Sequence, residues 1–185
     1  MNAPVIRVRN GQYYLCDFDA MMASQIATWA RDAHELFWLA PSTPPPLTAS
    51  KVISWLTPDV SAFLFRRDQV AKALGYFELN LMPAQNDHLW LGHCVIAPDY
   101  RGCGLGTCMV SLAIEDAFIR RKAESVSLVV FPDNLAAVAC YRSVGFVTVG
   151  EQIKEFRTAQ RPHRMLRMSI ARRQYLLSRG LSQAE

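Results

Sequence analysis

The sequence predicts an α/β domain built on a mixed sheet, and three observations carry that prediction. β-compatible apolar runs alternate with segments of helical spacing along the 185 residues. The strand-like run 125–131 is followed at once by Asp133 and Asn134, two residues that cap helices well. Apolar residues make up 51% of the chain and charged residues 19%, which supports a buried core rather than disorder. The length fits a single domain over 1–185.

Taken in order, residues 5–9 and 12–16 are short β-prone runs joined by Asn10-Gly11, a strong two-residue hairpin signal. Asp17 or Asp19 caps a helix expected to run to about residue 31, with Met21, Met22, Ile26 and Trp29 as core contacts. A short helical piece over 35–39 precedes four prolines within 41–46, which break regular structure. Thr48 caps a helix over 49–56. Strands over 61–66 and 73–81 flank a polar turn at Asp68, and 82–87 reads as a loop. The apolar run 89–96 is a strand stopped by Pro98. Within 107–122, Met109, Leu112, Ala113, Asp116 and Ala117 fall at helical spacing. A helix from Asp133 or Asn134 to about residue 143 ends at Gly145, and strands follow over 146–150 and 165–170.

Composition removes several function classes. No apolar run reaches the roughly 18 residues that cross a bilayer, so no membrane role is expected. Residues 1–10 hold two arginines and no apolar segment of secretory type. The five cysteines (16, 94, 103, 108, 140) form no Cys-x-x-Cys pair, and the four histidines lie at no zinc spacing. Free thiols and a cytoplasmic location are therefore expected, with no metal. Net charge is +4, and residues 156–184 hold seven arginines and no acid. Such a basic segment reads first as a solvated face, and a nucleic-acid partner is not favoured.

Chemistry concentrates in Ile96-Ala97-Pro98-Asp99-Tyr100-Arg101-Gly102-Cys103-Gly104-Leu105-Gly106-Thr107, between a strand and a helix. Three alternating glycines leave amide N–H groups unobstructed by side chains. At a helix start those amides lack intrahelical acceptors and the dipole is positive, which makes an anion cradle suited to a diphosphate. Arg101 can add charge beside it. The spacing differs from Gly-x-Gly-x-x-Gly, and no Gly-Lys-Ser/Thr follows, so dinucleotide and nucleoside-triphosphate loops are disfavoured. A second signature follows the next strand: Asn134 at a helix start, Tyr141 about two turns on, then Gly145-Phe146.

Together the two segments resemble the GNAT superfamily of acyl-coenzyme A-dependent N-acyltransferases. Arg101-x-x-Gly104-x-Gly106 is similar to that family's pyrophosphate signature, and Asn134…Tyr141…Gly145-Phe146 to its downstream segment. The resemblance covers about residues 88–150. It implies a mixed central sheet of about six to seven strands flanked by helices, with an acetyl-coenzyme A-binding core over 88–150. Residues 17–60 would cover the acceptor side, and 156–185 would form a basic C-terminal segment.

The resemblance further implies roles. Backbone groups of Cys94, Val95 and Ile96 would meet the pantetheine arm and the acyl carbonyl. Arg101, Gly102, Cys103, Gly104, Leu105, Gly106 and Thr107 would hold the diphosphate, and Asn134 would bond near the pantetheine. Tyr141 would protonate the departing thiolate, and a backbone amide such as that of Ile96 would stabilise the oxyanion. The expected activity is transfer of an acetyl group to a primary amine, by direct attack in a ternary complex. A non-catalytic acyl-coenzyme A sensor on the same fold is the alternative, and a homodimer stays open. The strand over 125–131 has no acid to serve as base. Glu78, which alternation places with Tyr76 and Asn80, and His93 are the candidates, with ordered water as a third route. Glu78 reads equally as an edge-strand acid in solvent. Around the acceptor, Trp29, Asp32, Glu35, Phe37 and Trp38 offer aromatic walls and carboxylates.

Overall fold

A computed structural model describes residues 5–82 and 85–180. The Asn10-Gly11 step joins β1 (Ile6–Asn10) to β2 (Tyr13–Asp17), with Gly11 at a φ of +56°. That positive φ is open to glycine at little steric cost. Strands β3 (Val60–Arg67), β4 (Gly75–Met82) and β5 (Gln85–Ile96) continue the sheet. The expected loop at 82–87 is thus shorter, because β5 already starts at Gln85; positions 83–84 lie outside the described residues.

Beyond β5 come β6 (Ser125–Val130), β7 (Val147–Lys154) and β8 (His163–Ala171). The order is β1-β2-β3-β4-β5-β6-β8-β7, and every neighbouring pair is antiparallel except β5 with β6. The sheet therefore has eight strands, not the six to seven that the resemblance implied, with the N-terminal hairpin joined to it through β2 on β3. The basic segment is built into the sheet. Its β8 lies between β6 and β7, with Arg164 on Glu151 at 2.6 Å and Arg172 on Glu124 at 3.1 Å. Positions 181–185 lie outside the described residues.

The helix expected over 17–31 is broken up. Asp19 caps a 3₁₀ turn at Ala20–Met22 by accepting from the Met21 amide, and α1 (Ala23–Ile26) is a single turn. Thr28 Oγ1 donates to the Gln25 carbonyl, and the Thr28 and Trp29 amides bond three residues back. This tightening ends regular α geometry. Ile26 and Trp29 enter the core as expected, whereas Met21 is 72% exposed. Asp32 caps α2 (Ala33–Leu39), and Thr48 caps α3 (Ala49–Ser54).

On the other side of the sheet, α4 (Leu105–Glu115) starts two residues earlier than its apolar periodicity indicates, because Gly104 at φ +75° opens it. It passes into a π-helical turn at Asp116–Arg120. Asp116, inside the apolar stripe, is fully buried and accepts from Arg120 Nη1 at 2.5 Å and Arg121 Nε at 2.7 Å. Such burial of a carboxylate requires its partners. Helix α5 (Leu135–Val144) is capped by Asn134 and stopped by Gly145 at φ +109°, and α6 (Arg172–Ser178) closes the described chain. One apolar cluster lies between the sheet and α4, and a second packs α1 and α3 on the opposite face. Gly75 allows close packing on the α4 side: a Cβ on it would lie 2.6 Å from Met109 Sδ.

Candidate active site

The site begins with a defect in the sheet. Opposite Phe77 of β4, strand β5 inserts both His93 and Cys94: Tyr76 faces Val95, yet Glu78 faces Gly92. This bulge bends β5 and holds His93 at a φ of +45°, a conformation side chains rarely adopt outside functional bends. β5 pairs with β6 only through His88, Leu89 and Trp90, and over 91–96 no β6 residue is opposite it. A cleft of about 610 Å³ opens where the strands part, within the range of small-molecule sites. The Ala97 amide bonds the Leu74 carbonyl on the β4 side, so strand alternation turns the Ile96 N–H toward the parted side.

At one mouth of the cleft lies the glycine-rich turn. Among the described residues, the amides of 102–107 make no hydrogen bond; the first to do so is that of Cys108, to the Gly104 carbonyl. Gly102 and Gly104 have φ near +75°, and a Cβ on either would meet nothing within 4 Å. The turn is therefore an open row of N–H donors ending at the positive pole of α4, with no acceptor of its own. Gly106 brings α4 against α5, since its Cβ would lie 3.5 Å from Cys140 Sγ.

Arg101 departs from its expected place at the diphosphate. Its guanidinium turns away from the cradle, donating to the Ile96 carbonyl at 2.9 Å, the Trp29 carbonyl at 2.6 Å and Glu35 at 3.0 Å. It straps the end of β5 to the α1–α2 region. Burial pushes Glu35 up, but hydrogen bonds from Arg31 and Arg101 override it and hold the carboxyl at about 2. Asn134 lines the cleft while its Oδ1 accepts from the Ala137 amide at 3.3 Å. Cys103 is exposed and its sulfur leans on the Arg101 carbonyl.

Deeper in, Tyr141 lines the cleft within interaction range of the Cys94 thiol. Burial, then the neighbouring Cys94 and Cys140 thiols, push its hydroxyl well above the usual phenol range. Burial likewise raises Cys94 and Cys140, so both stay neutral thiols and poor nucleophiles.

The two candidate bases form one unit. Glu78 is 1% exposed, on a strand flanked by β3 and β5, so it is no edge-strand acid in solvent. Its Oε1 accepts from the Tyr76 hydroxyl at 2.6 Å, and its Oε2 meets His93 Nδ1 at 2.8 Å. Trp55 stacks on the His93 ring with centroids 4.2 Å apart. The carboxylate thus has a partner on each oxygen, and the Nδ1–H tautomer leaves Nε2 as the basic nitrogen. His93 lines the cleft, with Glu78 behind it. Sequence alternation put Tyr76 on the Glu78 face but gave no sign of Trp55, 38 positions from His93 in the chain. A second hollow, about 510 Å³, holds Arg7, Arg120 and Arg121, already paired with Asp17 and Asp116. Among the described residues, no group of three or more metal-ligating side chains converges, and no helix is long and apolar enough to cross a membrane.

An eight-stranded mixed sheet thus parts beside a row of amides without acceptors. The chain belongs to the acetyltransferase (GNAT) family, whose model matches residues 18–146. Spermidine N(1)-acetyltransferase of Escherichia coli (strain K12) is 34% identical over 82 residues, which are 44% of each chain. A mycothiol acetyltransferase of Paenarthrobacter aurescens (strain TC1) is 31% identical over 104 residues, 55% of this chain and 31% of that one. The chain thus matches less than half the length of these curated relatives. Among solved structures, the spermidine N-acetyltransferase of Vibrio cholerae in complex with CoA and spermine superposes with a TM-score of 0.76 at 20% identity, covering 90% of this chain and 99% of that one. The ribosomal-protein-S5-alanine acetyltransferase of Vibrio fischeri gives 0.70 at 15% identity, covering 90% and 97%. At those identities the likeness concerns the fold.

Proposed function

We propose that the protein is an N-acetyltransferase that moves an acetyl group from acetyl-coenzyme A to a primary amine in a ternary complex. The observation that carries this reading is one cleft lined both by Gly106, within the run of acceptor-free amides of 102–107, and by His93, which is bonded to buried Glu78. The open cradle fits a diphosphate, because nothing in the protein occupies it and donors line it. Acetyl-coenzyme A supplies the acetyl group as a thioester.

His93 Nε2 accepts the proton that the incoming ammonium must lose, and Glu78 holds the ring by its Nδ1–H. Glu78 is a positioning residue, oriented in turn by the Tyr76 hydroxyl. The Ile96 N–H, aimed at the parted side of β5, is the donor for the oxyanion. Tyr141 keeps its proton at neutral pH and supplies it to the departing thiolate. The test is direct: thiol release is followed with acetyl-coenzyme A and a panel of primary amines. His93→Gln should lower kcat about 100-fold or more with coenzyme A affinity unchanged. A folded His93→Gln protein with undiminished kcat would transfer the base role to ordered water. Coenzyme binding with no thiol release on any amine would make the chain a sensor instead.

A further inference from the structure

One hydrogen bond does not by itself fix the proposed base. Glu78 Oε2 holds His93 at Nδ1, at 2.8 Å, and leaves the ring free to swing about that contact. Nε2 would then travel on an arc, whereas proton transfer needs it within about 2.6–3.2 Å of the amine or of one bridging water. The His93 side chain is 25% exposed, so burial alone does not hold it either. A second restraint has to act on the face of the ring.

Trp55 supplies that restraint. The indole and imidazole planes are 17° apart with centroids at 4.2 Å, a stacked contact over one face of the ring. His93 lines the cleft and Trp55 does not. The indole therefore stands behind the imidazole, and its effect on the reaction passes through that ring.

The indole is itself held from several sides. Trp55 directly follows α3, and its amide bonds the Val52 carbonyl at 3.2 Å. Its Nε1–H donates to Thr43 Oγ1 at 3.0 Å. Its ring leans on Tyr76, the fully buried phenol that bonds Glu78, with centroids 6.2 Å apart. Thr43 belongs to the proline-rich segment 41–46, and its amide bonds the Ala40 carbonyl at 2.8 Å. Lys51 of α3 donates to the Pro44 and Pro46 carbonyls at 2.8 and 2.7 Å, and the Thr158 hydroxyl donates to the Pro41 carbonyl. Pro41 and Ser42 line the cleft. One clipped framework thus forms part of the cleft wall and sets the ring that stacks on the base.

We infer that Trp55 is a positioning residue for His93, holding the imidazole so that Nε2 faces the cleft, and that Thr43 orients the indole. The inference rests on the N-acetyltransferase reading with His93 as its base, and adds to it two residues that do not line the cleft.

The test is a double-mutant cycle read by thiol release, with coenzyme A affinity measured in parallel. Trp55→Leu keeps an apolar side chain and loses the flat face. Its kcat should fall about 10-fold or more, while the amine KM and coenzyme A affinity stay within about 2-fold. Trp55→Phe keeps a face and loses the N–H, and Thr43→Val keeps the indole and loses its acceptor; each should cost only about 3-fold in kcat. In a His93→Gln background, Trp55→Leu should cost nothing further, because its effect runs through the imidazole. Proton NMR reads the contact without turnover. The His93 ring signals, identified by their loss in His93→Gln, should shift in Trp55→Leu as the indole ring current is removed. An undiminished kcat in folded Trp55→Leu, or an equal further loss in the His93→Gln background, would overturn the positioning role and leave the transferase reading standing. Unmoved ring signals would overturn the contact itself. No thiol release from wild type with any amine, with coenzyme A still bound, would instead overturn the transferase reading and this role with it.

Discussion

Replacing Gly104 by aspartate separates the backbone requirement of the cradle from its electrostatics. Gly104 opens α4 at a φ of +75°, and a Cβ there would meet nothing within 4 Å. Any side chain at that position therefore pays about 1–2 kcal/mol for left-handed backbone and no steric cost. At about 2–4 °C per kcal/mol for a chain of this size, Tm should fall by about 2–8 °C. Gly104→Ala carries that cost alone. Gly104→Asp adds a negative charge beside the diphosphate; at about 5 Å and an effective dielectric of about 20, one pair of like charges repels by about 3 kcal/mol. Calorimetric titration should accordingly show coenzyme A binding more than about 100-fold weaker in Gly104→Asp than in Gly104→Ala. The gap should narrow as salt is raised, because the site is open to solvent. Equal affinities in the two folded variants would show that no anion sits at 102–107.

Two further outcomes test the rest of the site. Tyr141→Phe should reduce kcat by more than it changes KM, and the wild-type rate should show no alkaline loss attributable to Tyr141 below about pH 10, because its hydroxyl is raised above the usual phenol value. Glu35 is held at about 2, below its ordinary 4.5, so the Arg31–Glu35–Arg101 cluster stabilises the fold fully above pH 4.5 and loses that contribution as pH falls toward 2. Thermal melts of wild type and Glu35→Gln should therefore converge across that acidic window; a constant difference in Tm down to pH 2 would refute the linkage.

The strands were legible because alternation and β-branched runs report directly on half-buried extended chain, and the cradle was legible because its glycines are adjacent in sequence. What stayed hidden depends on pairing across distance. Glu78 and His93 were visible one at a time, but whether they touch depends on the extra residue at 93–94, which shifts the register of β5 on β4. A one-residue difference there would turn His93 to the other face. Arg101 looked like a phosphate ligand because it is next to the glycines. Its actual acceptors, Trp29 and Glu35, lie 72 and 66 positions away, and no local pattern reports such contacts. The helix over 17–31 failed for a different reason: the Thr28 hydroxyl and the i−3 bonds after α1 compete with the helix that capping and spacing favoured.

A single inserted residue links the two halves of the proposed chemistry. A regular β5 would alternate without interruption along β4, and His93 and Cys94 could not both stand opposite Phe77. With the bulge, β5 bends and its partnership with β6 ends at Trp90, so the Ile96 amide faces an open cleft instead of a neighbouring carbonyl. The same irregularity sets His93 at φ +45°, against buried Glu78 and under Trp55, while Cys94 faces Tyr141. The strain of that backbone, of order 1–3 kcal/mol, is offset by contacts that a regular strand would not make: the Glu78 hydrogen bond and the indole stack. The proposed base and oxyanion donor are therefore positioned by one departure from sheet geometry, and removing the bulge would misplace both, while Tyr141 is carried separately by α5.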